Sequence, residues 1–251
     1  MKRCGFHVWA FGLVLMGAVM AQTAAIPEHG PAVVLFDGSS DNLGLQFDTF
    51  SPSKGFNNDT DHIFTVEDGA IHVSGKEFGG LITKQEYADY YLTTEFKWGE
   101  GTYVNRVGKA RDAGILYDVT GPMQIWPSSV EFQIQEGATG DIYLCNSFGL
   151  TNSQGSRVIG RPGQYVGINR FGKGPWKDET GYRDPEGDPE KPHGKWNQVE
   201  LVVQGDHMRY YVNGKFVNEA SQTVVTKGKI LFQSEGAEVY YRNIKLYPLK
   251  Q

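Results

Sequence analysis

Cysteine is nearly absent, with two in 251 residues. Cys4 falls in an amino-terminal stretch expected to be removed, and Cys145 is left without a partner. No disulfide framework can therefore hold the chain together, and a hydrophobic core must do so. Basic runs are missing as well. The formal charge is -5, which argues against nucleic acid or an anionic membrane surface as partner. Beyond the amino-terminal stretch no apolar run is long enough to span a bilayer. There is no HExxH, CxxC or EF-hand pattern, no Ser–His–Asp signature, no phosphate-binding glycine loop and no nucleotide motif. No segment carries a long helical period.

What is present begins with Lys2 and Arg3 ahead of an apolar run over 11–20, with small residues around Ala21. That pattern predicts a secretory signal peptide over 1–21 and an exported protein, periplasmic or extracellular. About 230 of the 251 residues remain, the size of one large all-β domain, expected over 33–250. The 32 glycines and 13% aromatic residues favour strands joined by many turns. Strands are predicted at 33–37, 63–66, 71–73, 81–83, 91–98, 113–119, 130–135, 198–204, 208–212, 215–217, 229–233 and 239–247. Asp68-Gly69 and Asn213-Gly214 supply two-residue hairpin turns, because both residue types take positive φ readily. Such a pattern means a sandwich or a barrel. The stretch 146–193, rich in Gly, Pro and charge, is too polar for core strands and is expected to be a long loop inserted into the domain, either a functional lid or a surface excursion. Trp176 and Tyr182 within it offer rings for stacking on a ligand.

The strand at 130–135 is the most informative. Val130, Phe132 and Ile134 alternate with Glu131, Gln133 and Gln135, so one face is apolar and the other carries a carboxylate and two amides. Such a row suits hydroxyl groups and points to a sugar. Glu95 and Lys97, two residues apart, share one side of another strand. Arg242 interrupts the apolar alternation of the last strand, and Gln233 and Glu235 flank a strand end beside Gly236, where backbone can approach a ligand. Trp126 and Tyr143 add aromatic platforms. The oxygen-rich run at 57–62 is a candidate Ca²⁺ loop or a plain turn.

Eight segments, in this order, resemble one family: LFDG at 35–38, VEDGAIHVSG at 66–75, GGLITKQEYADYYLTTEFKW at 79–98, AGILYD at 113–118, WPSSVEFQIQEGATGDIYL at 126–144, KPHGKWNQVELVVQGD at 191–206, YYVNGKFVN at 210–218 and ILFQSEGAEVYYRNIKLYPL at 230–249. Together they resemble the DUF1080, or 3-keto-disaccharide hydrolase, domain family. The resemblance implies a concanavalin A-like jelly-roll β-sandwich of two curved antiparallel sheets with a carbohydrate site on the concave face. It also implies a substrate whose C3 hydroxyl is already a ketone. Proton removal from C2, expulsion of the C1 substituent and addition of water would then give net hydrolysis of a 3-keto-glycoside or 3-keto-disaccharide. That chemistry needs a base near C2, an electrophile at the C3 oxygen and an acid for the leaving oxygen. Glu131 is the leading base, with Glu95 as second carboxylate and Gln133 and Gln135 as hydroxyl ligands. Lys97, Arg242 or a divalent cation such as Ca²⁺ would steady the enolate. Trp126, Gln233 and Trp176 would complete the substrate contacts. Two departures from the family stand out: Asp112-Ala113-Gly114 replaces the Asn-Ser-Gly of many members, and Glu235 stands where others carry a His; if that His is essential, Glu235 must replace it or the activity is altered.

Three alternatives remain at this level. Jelly-roll glucanases use carboxylates spaced as E-x-D-x-x-E, whereas here the run is Glu131, Gln133, Glu136, with an amide in the middle. A non-catalytic, lectin-like module would use the same aromatic and amide side chains without a titrating carboxylate. An adhesive surface domain would need a broad exposed apolar patch.

Overall fold

The computed structural model describes residues 25–146 and 149–250, so the expected signal peptide lies outside the described residues. Among the described residues eighteen strands form two antiparallel sheets, one of ten strands and one of eight. The one helix among the described residues, Ser40–Gln46, is capped by the Ser39 hydroxyl, which accepts from the Asn42 N–H at 3.2 Å. Every predicted strand position lies in an observed strand, apart from Asp37 and Ile63 at strand ends. The two hairpin turns take the positive φ that their residues favour: 49° and 72° at Asp68 and Gly69, 50° and 75° at Asn213 and Gly214.

The eight-stranded sheet runs, edge to edge, through Tyr165–Ile168, Ile142–Cys145, Ser128–Gln135, Asp112–Thr120, Lys229–Ser234, Gly79–Thr83, Phe47–Ser51 and Gly55–Phe56. At the centre of the other sheet Tyr90–Thr102 lies between Asn197–Gln204 and Ala237–Pro248. Period-two alternation sends Leu92, Phe96 and Trp98 of one sheet, and Val130, Phe132 and Ile134 of the other, into a single shared core. Each large apolar side chain buried there contributes roughly 1.5–3 kcal/mol. Phe132 stacks on Tyr210 at 4.1 Å, and the Tyr210 hydroxyl donates to the Glu131 carbonyl at 3.2 Å. The core thereby grips the backbone of the strand that carries the polar row.

The 146–193 stretch differs from the expected loop. Gly149–Asn152 and Arg157–Ile159 extend one edge of the ten-stranded sheet, and Tyr165–Ile168 forms an edge of the eight-stranded one. Edge strands this short need little apolar content, and Leu150 alone supplies a fully buried anchor. The remainder is pinned by ion pairs from Arg170 to Asp184 and from Lys173 to Asp141.

Asp118 is 1% exposed, and neither carboxylate oxygen has a partner among the described residues. Burial pushes its pKa up to about 7. Below about pH 4 the group is neutral in both folded and unfolded chains. As pH rises toward 7 only the unfolded chain ionises, so stability is lost over that window and not beyond it. Asp118→Asn should therefore stabilise the protein by about 2–4 kcal/mol at pH 8 and by little at pH 4. Asn also tolerates the φ of 52° found there. Urea unfolding at the two pH values checks this, and an equal change at both would reject it.

Candidate functional site

The outer face of the eight-stranded sheet is where the polar row arrives. Across the strands Glu131 pairs with Leu116 on one side and Tyr143 on the other, and Gln133 pairs with Gly114. Leu116 belongs to a small apolar cluster with Ile82, Val119 and Leu231 that seals one end of this face. The other end opens into a cavity of about 270 Å³ lined by residues that include Asp112, Glu131, Gln133, Gln135 and Glu235. Trp126, Tyr143, Tyr165 and Trp176 supply its aromatic walls, and Arg106 and Asp178 its rim. Trp126 touches Tyr165 at 5.3 Å and Phe78 at 5.6 Å. Trp126 and Tyr165 also line an adjoining cavity of about 640 Å³, so these two rings are a wall common to both cavities.

Glu131 is 4% exposed. Its Oε2 lies 3.7 Å from the Cys145 sulfur, and its Oε1 has no partner among the described residues. Burial and, second, the nearby Asp112 charge push its pKa up to about 8. Asp112 accepts from the side-chain amides of Gln133 at 3.1 Å and Gln135 at 2.8 Å and pairs with Arg106. Burial still outweighs these partners and raises its pKa to about 7. Glu235 is held well above the usual range by burial and by the charges of Asp112 and Glu131. Gly114 makes this crowding feasible, because a Cβ there would collide with Oε1 of both Glu131 and Gln233.

Unsatisfied polar atoms gather around this point. Glu131 Oε1, Gln133 Oε1, Arg106 Nε and both terminal atoms of Gln233 are buried without partners among the described residues. Buried polar atoms are normally paired, so these groups can hydrogen-bond to water or to a ligand within the cavity. A cation would find its oxygens at Asp112, Glu131 and Glu235, although among the described residues no three His, Cys, Asp or Glu side chains converge in metal-binding geometry. In the 57–62 run, Asp59 accepts from the backbone N–H groups of Ile63 and Phe64, both at 2.8 Å, and Lys54 pairs with Asp61. Those oxygens shape a turn.

Of the residues singled out in the sequence, Glu131, Glu235, Gln133, Gln135, Trp126 and Trp176 line the cavity, and Gln233 abuts it at Gly114. Glu95, Lys97 and Arg242 do not join them. They face outward from the ten-stranded sheet, on the opposite side of the sandwich, where Arg242 pairs with Glu95 at 2.9 Å. Two sheets stacked core to core point their outer faces apart, so no rotamer can bring these three to Glu131. Glu136, the third carboxylate of the glucanase-like spacing, is also taken: it binds the Arg111 backbone N–H at 2.8 Å and its guanidinium at 2.7 Å. It fastens the long segment too, accepting from the Gly181 N–H and, through its carbonyl, from the Trp176 indole. Arg106, Tyr165 and Asp178 had no signal in the sequence. Asp112 was visible only as a departure from the family pattern.

Fold and site together define a concanavalin A-like jelly roll with a polar cavity on one sheet. The chain belongs to the 3-keto-alpha-glucoside-1,2-lyase-like domain family, which it matches over residues 31–247. That family is carbohydrate-active, and so is the role of this protein. Among solved structures, a candidate glycosyl hydrolase from Parabacteroides distasonis ATCC 8503 is 18% identical, with a TM-score of 0.56 over 87% of this chain and 94% of its own. A second from the same organism, also 18% identical, has a TM-score of 0.52 over 88% and 100%. A Bacillus subtilis protein of unknown function with a galectin-like fold is 12% identical, with a TM-score of 0.50 over 90% and 100%. At these identities the likeness is one of fold. A comparison with curated proteins finds no match.

Proposed function

We propose that the protein cleaves 3-keto-glycosides by elimination, with Glu131 as the base. The observation that carries this reading is the Glu131 Oε1, buried at the floor of the cavity and, like several polar atoms around it, without a partner among the described residues. A ketone at C3 makes the C2 hydrogen acidic, so a single carboxylate with a raised pKa suffices to remove it. Glu131 takes that proton, and the C–H electron pair forms the enolate. The Arg106 guanidinium and the Gln233 amide offer preorganised hydrogen-bond donors for the enolate oxygen. Collapse of the enolate restores the ketone, forms the C1–C2 double bond and breaks the bond from C1 to the leaving oxygen. Glu235, kept protonated by its surroundings, gives that oxygen its proton. Water then adds across the double bond, hydroxyl to C1 and proton to C2, to complete net hydrolysis. Trp126, Tyr143 and Trp176 provide ring faces for the sugar.

The test is turnover of a 3-keto-glucoside in D₂O followed by NMR. Elimination predicts release of the aglycone together with an enone signal or deuterium at C2 of the product. Aglycone release with hydrogen retained at C2 would replace elimination by direct displacement at C1. Binding of intact glycans without any turnover would move the cavity to the lectin-like alternative.

A further inference from the structure

Glu95, Lys97 and Arg242 belong to a second surface. On the outer face of the ten-stranded sheet, away from Glu131, lies a cavity of about 420 Å³. Register assembles it from three neighbouring strands: Tyr247 lies opposite Tyr91, Lys245 opposite Thr93, and Arg242 and Gln198 on either side of Glu95. At one end the rings of Tyr91 and Tyr247 stack at 5.5 Å and 28°, with the His29 ring 4.6 Å from Tyr247. Just beyond the other end, Trp196 lies 4.0 Å from the Arg242 guanidinium and 5.0 Å from the Lys97 ammonium. Between these aromatic ends, the side chains of Thr93, Gln198 and Lys245 line or border the cavity and make no hydrogen bond or ion pair among the described residues. Glu95 is steadied differently: burial pushes its pKa up, but hydrogen bonds from Arg242 and Asn243 outweigh that and hold it below the usual range.

Cross-strand aromatic pairs on a solvent face would by themselves only stiffen the sheet. They would not call for a cavity with a free hydroxyl, amide and ammonium between two sets of rings. Arg242 is paired with Glu95 and Lys97 lies over the rings of Trp196 and Tyr240, which leaves the Lys245 ammonium as a single unpaired cation among the described residues lining the cavity, too little to select a polyanion. Tyr91, Tyr247 and Trp196 are half-buried, so part of each ring stays open to solvent beside the polar side chains, a mixture that suits the alternating C–H and hydroxyl faces of sugar rings. From Tyr91 to Lys97 the strand covers about 20 Å, long enough for several linked sugars.

We propose that this face is a second, non-catalytic saccharide-binding surface that takes an uncharged glycan chain lying along the strands. It would hold the protein on a polysaccharide while the cleft on the opposite sheet stays open to small substrates. The inference stands on the outer face alone and does not need the elimination reaction.

Affinity electrophoresis in native gels containing barley β-glucan, arabinoxylan or galactomannan tests it. At least one of these neutral polysaccharides should retard the wild-type protein. Tyr247→Ala should weaken that retention about tenfold, while Trp126→Ala, in the opposite cleft, leaves it unchanged. Gln198→Ala, which removes no packing from the sheet, should weaken it in the same direction and decides the matter should Tyr247→Ala fail to fold. Both outer-face variants should retain the wild-type activity on a soluble 3-keto-glucoside. Migration unaffected by all three polysaccharides would overturn the proposal. So would retention lost in Trp126→Ala but kept in Gln198→Ala, which would assign glycan binding to the cleft.

Discussion

Glu131→Gln is expected to lower kcat on a 3-keto-glucoside by about 10³-fold, within the range that a positioned acid or base supplies. Gln keeps the size and planarity of Glu, so the contact with Cys145 and the room beside Gly114 survive. Only the ability to accept a proton from C2 disappears. Wild-type activity should rise with pH through an ionisation near 8, because Glu131 must be ionised to act and its pKa is pushed up to about 8. Part of that shift comes from Asp112, so Asp112→Asn should move the rising limb to lower pH while retaining an amide-sized partner for Arg106. The two carboxyl groups interact, and the limb reports the pair rather than either residue alone. Initial rates from pH 5 to 10 for the wild type and both variants make the check. If Glu131→Gln keeps more than about a tenth of the activity, its loss falls below what a general base contributes, and the role passes to another group.

Local alternation made half of this site legible. In 130–135 the chain states which residues share a face, and that face does carry Glu131, Gln133 and Gln135 into one cavity. Alternation does not state which sheet a strand will join. Glu95 and Lys97 obey the same rule on Tyr90–Thr102, yet that strand belongs to the other sheet and turns them away. Sheet membership is set by long-range pairing, such as Tyr90–Thr102 with Ala237–Pro248, which is separated by more than a hundred residues and leaves no local mark. The loop contributions were hidden for a different reason. Arg106 and Asp178 lie in segments without a period, and they meet only because Asp178 accepts from Arg106 at 3.2 Å across the rim. Trp176 was visible as a lone aromatic in a polar stretch, and its anchor on the Glu136 carbonyl needed the folded turn. The hairpins were legible because Asp-Gly and Asn-Gly report a backbone requirement directly.

Gly114→Ala should reduce kcat/KM about 10²-fold while changing stability little, and this separates positioning from folding. Gly114 does not need a left-handed backbone, since its φ is not among the positive ones. Alanine therefore brings no conformational strain, only a methyl group. That methyl meets the far ends of two flexible side chains, the Glu131 carboxylate and the Gln233 amide, and both can swing away at small cost to the fold. They can retreat only by leaving the positions from which they would reach C2 and the C3 oxygen. A displacement near 1 Å at a reacting group is enough for a loss of about that size. Gly80, in the adjoining Gly79–Thr83 strand and directly opposite Gln233, supplies the contrast. A Cβ there would lie 2.7 Å from a Leu231 methyl in the apolar cluster at the sealed end of the same face. Gly80→Ala should cost about 1–3 kcal/mol by overpacking and leave kcat close to wild type in the folded fraction. Thermal unfolding and steady-state kinetics on both variants distinguish the two effects. Loss of stability without loss of turnover in Gly114→Ala would mean that Glu131 acts from another position, or not at all.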